Sequence, residues 1–259
     1  MSDEATRRGG LFEADDANPD DPIGADIAEG AAPGIGATEL PFETEQLRAQ
    51  LALFLNQRHD IGRGVTMRLG SIKWGVYAFY DYDNEPIYVG QTKEKLGTRI
   101  RRHLTNQRTD AVAMNVLDPF EVHTIEVWPL HSFEGRPASD AAAVAHLNAL
   151  ETGVFQQLLG QSEFNAVLNE KDPPVATVHV EIPPSVRGRI VSADVSRLRD
   201  HPDLRIARRA LTLAKLAQVI SERKVQLGLR RTLLAQARRL QSLAERRYNN
   251  ATDVPEDDE

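Results

Sequence analysis

Two β-rich runs, Trp74-Gly75-Val76-Tyr77-Ala78-Phe79-Tyr80 and Ile87-Tyr88-Val89-Gly90, flank the turn-like stretch Tyr82-Asp83-Asn84-Glu85. A tight hairpin fixes its own register, so this stretch constrains the fold more than any other part of the chain. With a turn of two or four residues, Tyr77 pairs with Gly90, and residues of equal parity share a face. One face then carries Val76, Ala78, Tyr80, Ile87 and Val89, which suits a core. The other carries Gly75, Tyr77, Phe79, Tyr88 and Gly90, with the two tyrosines diagonal neighbours roughly 7–8 Å apart. Glycine weakens a strand, so Gly75 and Gly90 on one face imply a close approach to the backbone there, by substrate in a functional reading. The plain alternative is a half-buried hairpin whose tyrosines only pack.

Residues Gln91 to Asn106 have helical spacing, with Leu96, Ile100 and Leu104 as the apolar stripe. Arg99 and His103 lie four residues apart and flank that stripe, so both reach past its edge. Arg101 and Arg102 fall on the opposite side, as solvated or phosphate-touching charges. A second helix spans Ala138 to Leu159, with Ser139 or Asp140 as its N-cap and Gly160 just past its end. Its stripe is Val144, Leu147, Val154, Phe155 and Leu158, and Glu151 falls near the middle. A carboxylate on a buried face is costly unless it is paired, here by an arginine, or holds a cation.

In order, Gly75-Val76-Tyr77, Tyr88-Val89-Gly90, the arginine helix, the glutamate helix and Glu163-Phe164-Asn165 resemble the signature of the GIY-YIG nuclease family, over about residues 73–170. Each triplet is weak alone; the ordered set is specific. The resemblance implies metal-assisted cleavage of a phosphodiester. It gives Arg99 the scissile phosphate and makes Glu151 the ligand of Mg²⁺, for which Mn²⁺ can substitute. One tyrosine becomes the general base, Tyr77 as first choice, with His103 as a helper. Asn165 is placed in the closing motif, at the substrate or in the loop. Gln91 departs from members that carry lysine there, which leaves open what activates a tyrosine whose free pKa is about 10.

Composition sets the limits. The chain has 259 residues and no cysteine, so disulfides, thiolate zinc sites and thiol nucleophiles are excluded. The start is acidic and lacks a signal-peptide core, and no apolar run approaches the roughly 18 residues of a membrane helix. A cytoplasmic protein without membrane contact is expected. Gly34-Ile35-Gly36 follows no strand, so a phosphate-cradling loop fails on context. No pair of the seven histidines shows ligand spacing on one helix face, and apart from His103 each is most simply surface or core filler.

The net charge of −7 is an average. Residues 1–43 form an acidic arm without hydrophobic periodicity, expected to be disordered. Residues 44–185 hold the nuclease-like unit, opened by a helix over Thr44–Gln57 with Leu47, Leu51, Phe54 and Leu55, and a Gly62-Arg63-Gly64 link. A third strand follows over Phe120–Leu130, and an added strand over Val175–Ile182. Residues 186–250 form a basic helical segment with Gly228 as its weak point, and residues 251–259 an acidic tail. Of these, residues 187–250 carry 16 basic against 5 acidic residues, which fits a solvated helical hairpin, a phosphate-gripping module or a homodimer surface formed by the C-terminal helices. The fold class is α+β: a small domain with a three-stranded antiparallel sheet flanked by helices, plus an added strand and a helical C-terminal segment.

A Mg²⁺-dependent DNA endonuclease of restriction, defence or repair type follows from the resemblance. The alternatives are a nucleic-acid-binding module whose catalytic site has decayed, and an assembly protein built on the C-terminal helices.

Overall fold

The computed structural model describes residues 42–61, 64–105, 117–169, 178–222 and 227–252, with residues 173, 176, 224 and 225 between them. The expected acidic arm, up to residue 41, and the acidic tail from residue 253 lie outside the described residues. Helix α1 (Phe42–Leu55) buries the four apolar residues read from the sequence, Leu47, Leu51, Phe54 and Leu55. Strands β1 (Arg58–Asp60) and β2 (Thr66–Arg68) then pair antiparallel. The glycine link therefore falls inside a small hairpin; its residues 62 and 63 are not described.

The predicted central hairpin forms from β3 (Gly75–Tyr80) and β4 (Pro86–Thr92), with Tyr77 opposite Gly90. Asn84 takes a positive φ of 63° in its turn. The register shifts between Phe79 and Tyr80, so Tyr80 faces Pro86. That bulge moves Ile87 away from the expected face: it packs with Tyr77 and Phe79, while Val76, Ala78, Tyr80 and Val89 face the other core.

Helix α2 (Leu96–Leu104) is shorter than its periodicity suggested, because Gln91 and Thr92 still belong to β4. Its stripe of Leu96, Ile100 and Leu104 is buried as expected. Strand β5 (Thr124–Pro129) pairs with β3, and helix α3 (Ala141–Gln161) follows. Asp140, one of the two N-cap candidates, accepts a hydrogen bond from Ala143 N at 2.9 Å. The helix runs through Gly160 instead of stopping before it; Ser162 ends it, anchored by its hydroxyl to the Glu85 carboxylate.

The fourth strand is not the alternating stretch Val175–Ile182, whose described residues are irregular. Pro173, Pro174, Pro183 and Pro184 bracket that stretch and lack the donors that a ladder needs. Its alternation reflects packing, since Val180 and Ile182 lie against the core under α3. Strand β6 (Val186–Arg189) takes the edge of β5 instead, giving the order β4-β3-β5-β6, all antiparallel.

Helices α4 (Ala193–Arg199), α5 (Pro202–Glu222) and α6 (Leu227–Thr252) complete the chain. Gly228 lies inside α6, so the break precedes it. The sheet is sandwiched: α3 covers one face through Leu147, Leu150, Val154 and Phe155. The other face packs on α1, α2 and the C-terminal helices through Leu51, Ile100, Leu216, Ile220 and Leu229. Among the described residues no helix is long and apolar enough to cross a membrane.

The arginines of the basic segment are neither a solvated face nor wholly free for phosphate. Arg205, Arg209 and Arg239 are each 3 % exposed and converge on the hairpin turn. Asp81 Oδ2 accepts from Arg209 at 2.8 Å and from Arg239 at 2.6 Å, while Asp83 pairs with Arg205 and Glu121 with Arg209. Arg199, equally buried, bonds Glu43 of α1 at 3.0 Å and lies over the Phe120 ring. Burial opposes ionisation of Asp83, yet Arg205 holds its carboxyl down at about 2. Not every leucine of these helices faces the core: Leu211 and Leu234 are more than half exposed.

Removing one member of such a network strands buried charge. Asp81→Ala should cost about 3–5 kcal/mol in chemical unfolding. Glu94→Ala, which breaks only the exposed pair with Arg102, should cost less than about 1 kcal/mol.

Candidate active site

Tyr77, Tyr88, Arg99, His103 and Glu151, of the expected site residues, gather around β3 and β4. Tyr77 projects from β3 and Tyr88 from β4, their ring centroids 6.1 Å apart. His103 of α2 lies 5.8 Å from the Tyr77 ring and 5.2 Å from that of Tyr88. Phe79 stacks on Tyr88 at 5.5 Å and closes the cluster from the sheet side. Arg99, one helical turn before His103, faces both tyrosines and is only partly exposed. Glu151 reaches the same region from α3 on the opposite side of the sheet; Arg99 is the cation that acts on it.

Close approaches at the two glycines are made by the protein itself. A Cβ on Gly90 would lie 2.7 Å from Tyr77 Oη and 2.9 Å from the Tyr88 ring. One on Gly75 would lie 2.9 Å from the Trp128 carbonyl. Gly90 is thus the floor on which the Tyr77 phenol rests.

Tyr77 is fully buried, and its hydroxyl makes no hydrogen bond of good geometry, although Arg99 and Tyr88 lie against it. Burial pushes its phenol well above the ordinary tyrosine range, with Tyr88 adding to the rise and Arg99 opposing it. This works against Tyr77 as the base: at neutral pH the phenol stays protonated and out of water's reach. Tyr88 is half-buried and is the more accessible of the two.

Glu151 is 8 % exposed and has neither a hydrogen bond nor an ion pair within 4 Å among the described residues. The arginine partner foreseen as its structural explanation is therefore not in contact. Burial raises the carboxyl to about 7 despite the pull of Arg99. Among the described residues no group of three or more His, Asp or Glu side chains is arranged around a metal. A single desolvated carboxylate still suits Mg²⁺, which keeps several waters and uses one or two carboxylates plus substrate phosphates.

Arg101 and Arg102 are exposed, and Arg102 is held by Glu94 at 2.7 Å. Asn165 is an exposed turn residue with φ 49°, outside the cluster, which places it in the loop. The asparagine that does contact the tyrosine strand is Asn169, whose side chain bonds both backbone groups of Val89. Sequence reasoning missed it, and also missed Asn148, which accepts from Gln91 Nε2 at 2.9 Å. Asn148 could have been found, since it lies one turn before Glu151 on the same helical face. Nothing in the local pattern marks Asn169.

Residues 73–157 match the family model of the GIY-YIG catalytic domain. The match covers about a third of the chain and makes this region similar to a family of nucleases. Searches of curated proteins and of solved structures gave no match.

Two outcomes test the geometry. Gly90→Ala should destabilise the fold and displace the Tyr77 ring, seen as a lowered melting temperature and a shifted ring resonance. For Glu151 the folded pKa of about 7 lies above the unfolded value, so the folded state binds the extra proton more tightly. Its stability contribution is present below the unfolded pKa and is lost as pH rises through about 7. Without divalent metal, Glu151→Gln should therefore match wild type at about pH 4.5 and exceed it at about pH 8, by at most about 3 kcal/mol.

Proposed function

We propose that this chain is a Mg²⁺-dependent DNA endonuclease that hydrolyses phosphodiester bonds at the β4 edge. The observation that carries the proposal is Glu151: a buried carboxylate with no hydrogen bond or ion pair among the described residues, within reach of the Arg99 charge and inside the region that matches the GIY-YIG catalytic domain. A protein gains nothing from such a group in isolation, because the desolvated charge is expensive. A divalent cation held by Glu151 supplies Lewis acidity to the phosphate and to the leaving oxygen.

The other steps belong to the chain itself. Arg99 places positive charge on the equatorial oxygens of the transition state, where a partly buried guanidinium acts more strongly than in water. The attacking water is lined up by Tyr88, with His103 beside it to accept a proton. Tyr77, buried under this pair, sets the position of Tyr88 and shields Arg99 from water. Asn148 holds Gln91 next to the glutamate helix, so the position where some family members have lysine is occupied here by a neutral, tethered amide.

A catalytically decayed binding module is disfavoured because Glu151, Arg99 and both tyrosines are all present and gathered. Restriction, defence and repair remain distinct versions of the proposal. Discrete fragments from undamaged linear DNA would support a restriction enzyme, and incision only beside lesions a repair enzyme.

Supercoiled plasmid should be nicked with Mg²⁺ and not with EDTA, and Glu151→Ala and Arg99→Ala should each lose at least about a hundredfold in rate. Tyr88→Phe should lose more activity than Tyr77→Phe; the reverse order would return the base to Tyr77. Intact plasmid after incubation with folded wild type and Mg²⁺ would count against the nuclease assignment.

A further inference from the structure

Strand β4 carries Tyr88 and Gly90 and is an edge strand, so among the described residues its outer backbone groups have no strand to pair with. An unpaired edge is free to twist or slip. Here the edge is closed by a short non-strand segment. Leu168 N donates to Ile87 O at 2.9 Å. Next along the edge, Asn169 Oδ1 accepts from Val89 N at 3.1 Å and Asn169 Nδ2 donates to Val89 O at 2.8 Å. One side-chain amide thus supplies both hydrogen bonds that a neighbouring strand would have made, at the residue between Tyr88 and Gly90.

The clamp is itself held. The Asn169 carbonyl accepts from Thr232 Oγ1 of α6 at 3.3 Å, and Thr232 is only 2 % exposed. Leu229, one turn earlier on α6, is buried in the same core as Tyr77 and Ile100. The appended C-terminal helices therefore reach the tyrosine strand at two separate places: through the arginines at its turn, and through Thr232 and Asn169 at its edge.

We propose that Asn169 is a positioning residue for the reaction: it fixes β4 at Val89, and so fixes Tyr88 and the Gly90 floor beneath Tyr77. It touches neither substrate nor metal. This rests on the nuclease assignment above. The consequence is that the C-terminal helices, and not the GIY-YIG domain alone, set the catalytic geometry.

The test uses the full chain and two variants, Asn169→Ala, which removes both bonds, and the near-isosteric Asn169→Asp, which removes only the donor to Val89 O. Plasmid nicking gives kcat and KM, and amide hydrogen exchange reads Val89 without needing activity. Asn169→Ala is expected to melt cooperatively, to lose exchange protection at Val89, and to fall in kcat by on the order of a hundredfold with KM little changed. Asn169→Asp is expected to keep Val89 N–H protected and to fall in kcat by a smaller factor; it also serves if the alanine variant does not fold. Unchanged Val89 protection in Asn169→Ala would overturn the clamp. Lost protection with wild-type kcat would overturn the positioning role. A wild type that cuts nothing overturns the nuclease assignment and the catalytic part of this proposal with it, while exchange at Val89 still decides the clamp.

Discussion

The Asp81 carboxylate is the contact on which the rest depends. Its Oδ1 accepts from the backbone of Asp83 and of Glu85, each at 2.9 Å, and so shapes the turn of the central hairpin. Its Oδ2 gathers Arg209 and Arg239 from two C-terminal helices. Turn geometry and helix docking are therefore settled by a single buried group. Glu85, at the far end of the same turn, is tied by its carboxylate to Ser162 and to the Glu163 amide, which fixes the exit of the glutamate helix relative to the hairpin. Hairpin register sets the tyrosines; the exit of α3 sets Glu151. Both trace back to five residues of turn.

The site gains its character from the sheet edge. Chemistry-bearing groups come from both faces: Glu151 from the α3 side, Arg99 and His103 from the α2 side. They meet where β4 ends the sheet and the low-dielectric walls of two cores approach each other. Burial there acts in opposite directions on the two titrating groups. It keeps the Tyr77 phenol protonated and makes the Glu151 carboxylate reluctant to ionise until a cation is near. Arg99 lies against the Tyr77 phenol and its charge also reaches Glu151, so one guanidinium acts on both groups.

Much of this was legible in the chain. Parity across a short turn placed Tyr77 opposite Gly90, and helical spacing put Glu151 on a buried face, because both depend on local geometry alone. The bulge at Phe79 and Tyr80 was not legible, so Ile87 was assigned to the wrong side. The fourth strand was misplaced because the alternation at Val180 and Ile182 reports packing against the core and not a ladder, and prolines bracket the stretch. The arginines of the C-terminal helices were misread for a different reason. Net charge along a sequence carries no record of long-range partners, and Asp81 lies 158 residues before Arg239. Asn169 shares that difficulty, since its partner is a backbone 80 residues away.

The interior placement of Arg199, Arg205, Arg209 and Arg239 alters how the molecule meets a polyanion. A segment that looks strongly cationic on paper has turned four of its sixteen basic residues inward, where they are paired with Glu43, Asp81, Asp83 and Glu121. Only guanidinium groups at the surface displace condensed counterions from a duplex, and their number sets how steeply affinity falls with ionic strength. The four buried arginines release no counterions and so add nothing to that slope.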